Sequence, residues 1–106
     1  MTPENKVKEK IIKYFKTLQD KGLPLFYERR QAGGFSYKKG LPDLYFVYKG
    51  KHIELELKSD SGEPSSMQLM WQRKFKEVYG IDDYIVSSVD EVKRIIEKID
   101  NEKETD

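Results

Sequence analysis

Gly40-Leu41-Pro42-Asp43-Leu44-Tyr45-Phe46-Val47-Tyr48-Lys49-Gly50-Lys51-His52-Ile53-Glu54-Leu55-Glu56-Leu57-Lys58 is the stretch whose reading decides the fold. Two apolar-rich runs flank Lys49-Gly50-Lys51, where glycine permits a positive backbone angle, so the stretch reads as a β-hairpin over residues 44–48 and 52–58. Side chains alternate along a strand. Ile53, Leu55 and Leu57 therefore share one face, and Glu54, Glu56 and Lys58 share the other. The apolar face asks for a core, whereas the charged face needs a different reason to exist. Asp43 opens the first strand, and Glu56 and Lys58 close the second. Two carboxylates and a lysine converging there can bind a hard divalent cation and orient a water for attack on a phosphate. The competing reading is a salt-bridge cluster, with Asp43 only punctuating the turn after Pro42. Burying three charges with neither metal nor substrate would be costly, which favours the chemical reading. Glu54, about 7 Å further back along the strand, is the ambiguous acid, open either to metal or to a cation partner.

The ordered set Pro42-Asp43, then Glu56-Leu57-Lys58, resembles the PD-(D/E)XK nuclease signature. Gly40-Leu41-Pro42-Asp43, the Glu-x-Lys triplet and Ser65-x-x-Gln68 together are similar to the VRR-Nuc family, in particular its small stand-alone phage members. The resemblance runs from Thr2 to about the last helix. It implies that Asp43, Glu56 and the Leu57 backbone carbonyl hold metal, that Lys58 assists the attacking water, and that Gln68 lies near both. It also places an acid of the first helix at the metal, for which Glu4 is preferred over Glu9. An acid in the first helical turn is equally expected from the helix dipole alone. Ser65 and Gln68 also form a capping box, a local job that would compete with the site, and Gln72 stands one turn on as a substitute.

Composition limits the alternatives. A chain of 106 residues is sized for one domain, expected over residues 1–100, with 101–106 as a charged, frayed tail. The absence of cysteine excludes disulfides and thiolate zinc, and His52 is the only histidine. Metal ligands must then be oxygens, which points to magnesium or manganese. Neither a membrane-spanning run nor a signal peptide is visible in the sequence, so an intracellular protein is expected, in the host cytoplasm if phage-encoded. The net charge of +1 hides an asymmetry: residues 1–80 carry 16 Lys/Arg against 10 Asp/Glu, and residues 81–106 carry 4 against 9. A basic body with an acidic tail suits a protein that meets nucleic acid on one side, although a plain solvated surface has the same charge.

The remaining elements follow in order. Thr2 reads as N-cap and Pro3 as first residue of a helix with Val7, Ile11, Phe15 and Leu18 inward, ended by Gly22. Residues 23–31 read as a strand. Residues 32–40, with Gly33-Gly34, Phe35, Tyr37, Lys38 and Lys39, read as a loop contacting nucleic acid, or as a plain connection with solvated lysines. Arg29, Arg30, Lys38 and Lys39 are the candidate DNA contacts. A second helix starts at Ser65, with Met67, Trp71, Phe75 and Val78 as its buried stripe. Residues 84–87 read as a strand inside the sheet, and Ser88-x-x-Glu91 caps a third helix bearing Val92, Ile95, Ile96 and Ile99. The order is α-β-β-β-α-β-α, a mixed sheet flanked by helices, as in the PD-(D/E)XK core.

Taken together, the residues and the resemblance predict a magnesium- or manganese-dependent DNA endonuclease that favours branched or otherwise structured substrates in replication, repair or recombination. A homodimer is expected, with Tyr45, Tyr48 and Phe35 in excess of core needs, and a helicase or other replication protein is a candidate partner. The alternatives are a non-catalytic nucleic-acid-binding module that kept the fold, and an interaction protein whose charged hairpin is a salt-bridge network.

Overall fold

The computed structural model describes residues 3–30, 41–58 and 63–104. The expectations for Thr2, Phe35, Lys38 and Lys39 lie outside these residues. The elements are α1 (Pro3–Asp20), β1 (Leu25–Arg29), β2 (Leu44–Tyr48), β3 (Lys51–Leu57), α2 (Ser66–Glu77), β4 (Asp82–Val86) and α3 (Val89–Glu104). The order is the expected one. The sheet runs β1-β2-β3-β4, antiparallel through the first three strands and parallel between β3 and β4.

Local chemistry sets the boundaries. Gly22 adopts φ +83°, and the Leu23 and Gly22 amides donate to the Leu18 and Gln19 carbonyls, a Schellman ending for α1. Tyr48 pairs directly with Lys51, so the hairpin loop is only Lys49-Gly50. Both loop residues have positive φ, 51° and 81°, as a primed two-residue turn requires. Ser88 Oγ accepts from the Glu91 amide, while the Glu91 carboxylate reaches past the cap to the Ser87 amide at 2.8 Å.

One sheet face is apolar. Leu44, Phe46, Ile53, Leu55, Leu57 and Val86 meet Ile11, Ile12, Phe15 and Leu18 of α1 and Val92, Ile95, Ile96 and Ile99 of α3 in a single core. The other face is polar: register aligns Glu28, Tyr45, Glu54 and Asp83 in one row across all four strands. Helix α2 packs against β4 on this side.

Four sequence expectations change here. The buried stripe of α2 is not Met67, Trp71, Phe75 and Val78: only Phe75 of the helix is buried, and Val78 is 64% exposed. Gln68 and Gln72 face inward instead, one residue on from Met67 and Trp71, which amounts to a turn of about 100° around the axis. The helix covers a polar surface, so its inward residues are amides. Strand β4 is an edge strand, not an interior one, and its apolar character comes from coverage by helices on both faces. Tyr48 is not surplus aromatic surface; it is 1% exposed, with its hydroxyl donating to Asp100 at 2.9 Å. Finally, residues 101–104 continue α3 rather than fray. Lys49 pairs with Asp100 at 2.6 Å and Lys51 with Glu102 at 3.2 Å, tying this end of the helix to the hairpin turn.

Candidate active site

Asp43 directly precedes β2, and Glu56 is the penultimate residue of β3. Antiparallel pairing begins at Leu44 with Leu55, which sets Asp43 and Glu56 side by side at one end of the sheet. Lys58 follows immediately, its amide donating to the Val86 carbonyl at 2.9 Å and extending the parallel ladder. Glu4, in the first turn of α1, is close enough for its charge to raise both the Asp43 and Glu56 carboxyls. Glu9, the alternative acid of α1, instead accepts from Arg29 at 2.8 Å.

Electrostatics distinguish this cluster from an ordinary ion-pair network. Glu56 is 4% exposed, and its carboxyl is pushed up to about 8, first by burial and then by Asp43, against the pull of Lys58. Burial also raises the Asp43 carboxyl; Lys8 opposes it, Glu4 adds to it, and Lys58 and Arg30 oppose it further. Lys8 was missed in the sequence, although it stands four residues after Glu4 and so shares its helical face. One oxygen of Glu56, Oε2, is buried without a hydrogen-bond partner among the described residues. An orphaned buried oxygen costs about 1–3 kcal/mol, which a bound cation would recover. Its other oxygen accepts from Gln68 Nε2.

Gln68 closes the capping box and contacts Glu56 at the same time. Its Oε1 accepts from the Ser65 amide at 2.7 Å, its own amide donates to Ser65 Oγ at 3.2 Å, and its Nε2 points to Glu56. The expectation that capping and site roles exclude each other at any moment is therefore corrected: a carboxamide has an acceptor end and a donor end, and here they serve different partners. Gln72 does not substitute for it; Nε2 of Gln72 donates to the Asp83 carbonyl at 3.1 Å.

Of the two alternatives left open for Glu54, the structure shows the cation partner, Arg30. Arg30 binds both of its oxygens, and His52 Nε2 contacts Oε2. Arg29 is half exposed beside Glu9 at the rim. Asp83 is a partly buried acid that the sequence reading passed over: its buried Oδ1 has no hydrogen-bond partner among the described residues, and burial, then Glu54, push its carboxyl up to about 7. Only the strand register, which pairs Asp83 with Glu54, reveals it.

The donor set suits a hard divalent ion. Among the described residues no three carboxylate or imidazole side chains close into a cage. Asp43 and Glu56 with the Leu57 carbonyl would leave positions for water and a phosphate oxygen, the arrangement magnesium favours.

A mixed four-stranded sheet with helices on both faces, in the order α-β-β-β-α-β-α, and an acid-lysine cluster at the end of its central hairpin define the architecture of a PD-(D/E)XK core. A solved structure described as a VRR_NUC domain superimposes on this chain with a TM-score of 0.70 at 23% identity, covering 92% of this chain and 97% of that one. The protein therefore has the VRR_NUC fold. No family model and no curated protein matches the sequence. No helix among the described residues is long and apolar enough to cross a membrane.

Proposed function

We propose that the protein is a metal-dependent nuclease of the VRR-Nuc type that hydrolyses phosphodiester bonds in structured DNA. The observation that carries this reading is the buried Oε2 of Glu56, which has no hydrogen-bond partner among the described residues and feels the charges of Asp43, Lys58 and Glu4. Asp43, Glu56 and the Leu57 carbonyl would hold magnesium or manganese, with Glu4 bearing on the site from α1. When bound there, such an ion supplies charge neutralisation at the phosphate and a lowered pKa for attacking water. The chain's own groups do the rest. Glu56, whose carboxyl burial pushes up to about 8, would release its proton to solvent as an ion bound there. Gln68 holds one Glu56 oxygen and so fixes the direction of the other. The Lys58 ammonium orients the water and stabilises charge gathering on the phosphoryl oxygens, while solvent protonates the leaving 3′-oxygen.

DNA binding in this reading rests on phosphate contacts and shape. Arg29 is the described candidate contact, with Lys38 and Lys39 beyond the described residues. A homodimer presenting two centres to a branched substrate extends the proposal, as do an intracellular location and delivery by a helicase or other replication protein. Sedimentation that finds only monomer at micromolar concentration, with and without branched DNA, removes the dimer.

The deciding experiment is cleavage of labelled linear, flapped and four-way-junction DNA with magnesium or manganese, alongside Lys58→Ala. Metal-dependent cutting that the variant loses supports the nuclease. Tight DNA binding by folded protein with no cutting of any substrate favours the non-catalytic binding module.

A further inference from the structure

Arg30 joins three segments that meet at the candidate site. Its amide donates to the Asp43 carbonyl at 2.8 Å, extending the β1–β2 ladder by one bond. Its Nη1 donates to the Pro42 carbonyl at 2.9 Å. The two guanidinium nitrogens then grip both oxygens of Glu54, which is 1% exposed and stands two residues before Glu56. The guanidinium also lies 5.0 Å above the Tyr45 ring, and His52 stacks on that ring at 4.9 Å and 5°.

The spacing between Asp43 and Glu56 depends on this junction. Pairing between β2 and β3 starts at Leu44, so Pro42 and Asp43 lie beyond the ladder, and β3 does not hold them through its backbone. The Arg30 side chain supplies the missing tie, from the Pro42 carbonyl to Glu54 on β3. A planar guanidinium holds both contacts in one fixed geometry, whereas an ammonium offers one nitrogen with no fixed fork.

We propose that Arg30 is a positioning residue that sets Asp43 against Glu56 for the metal, and not a phosphate contact. The proposal rests on the metal site described under the proposed function. Its side chain is 26% exposed, and swinging it out to DNA would strand the buried Glu54 charge with His52 alone. Groups that orient metal ligands without touching the metal typically change affinity about 10–100-fold when altered.

The test compares wild type with Arg30→Lys in three measurements: manganese affinity by calorimetry without DNA, DNA affinity in chelator, and hydrogen exchange at the residue-30 amide. The expected result is manganese binding weakened at least about tenfold, DNA affinity within about twofold because no phosphate contact is lost, and faster exchange of that amide. Unchanged manganese affinity overturns the proposal, as does a loss of DNA affinity with manganese binding intact. If Arg30→Lys does not fold, Glu54→Gln loosens the same fork from the other side, and manganese affinity left at the wild-type level overturns it equally. Wild-type protein that binds no manganese sinks the metal reading; exchange at residue 30 then decides the clamp, with retained protection in the variant counting against it.

Discussion

The Gln68 carboxamide nitrogen donates to the Glu56 carboxylate across the gap between α2 and β3, while its oxygen caps the helix that carries it. The start of α2 and the orientation of a buried acid are thus one structural decision. Ser65→Ala should cost about 1 kcal/mol of stability through the cap, with little effect on metal binding. Gln68→Ala should cost about as much stability and also weaken metal affinity, because Glu56 loses the Gln68 Nε2 donor that holds it. Equal metal affinity in the two variants, measured by calorimetry, would separate the cap from the site.

Lys58→Ala should lower kcat by about 10²–10³-fold while leaving DNA affinity in chelator nearly unchanged, since its charge acts on the developing transition state. A fall confined to KM would place Lys58 in substrate binding instead. Single-turnover cleavage under saturating enzyme reads the difference.

Stability of the metal-free protein should fall as pH rises. Glu56 and Asp83 have folded-state values of about 8 and about 7, above their ordinary 4.5 and 3.8. Between those limits the folded state binds more protons than the unfolded one, so the contribution is complete below about pH 4 and is lost progressively towards pH 8. The melting temperature should drop by more than about 5 °C between pH 5 and pH 8. Glu56→Gln should flatten that slope and raise stability at pH 8, because a neutral amide replaces a buried charge. A variant as steep as wild type would assign the slope elsewhere.

Asp100→Ala should release the end of α3 from the hairpin turn. Asp100 accepts from Tyr48 and Lys49, and the Lys49 hydrogen bond holds its carboxyl below the ordinary value. The pair is solvent-accessible, so the loss of global stability should be small. Limited proteolysis near residue 100 should quicken. The Asp100 contribution is present above its unfolded pKa and disappears as pH falls through the folded one, so wild type and variant should converge at low pH.

Much of the fold was legible because its signals are local. The Pro3 start and Gly22 stop of α1, the Lys49-Gly50 turn, the Ser65 and Ser88 caps and the two-residue alternation of β3 each depend on neighbours within four residues. Those same alternations gathered Asp43, Glu56 and Lys58 at one end of a hairpin before any tertiary contact was known. The sequence by itself therefore determined the element order and the chemical character of the candidate site.

Tertiary structure decided which face of each element is inside. Periodicity assigns apolar residues inward, and that rule fails for α2, which lies over Glu56 and Asp83 and turns Gln68 and Gln72 to them while leaving Val78 and Tyr79 to solvent. It could not show that Tyr48 and Lys49 would hold Asp100, some fifty residues away, and so keep α3 helical past residue 100. Nor could it show Arg30 joining Pro42 to Glu54, or Asp83 lying beside Glu54 on a parallel strand. Hydrogen bonds and charge pairs over such separations depend on distances that only the folded chain sets, whereas caps, turns and strand alternation are already written in adjacent residues.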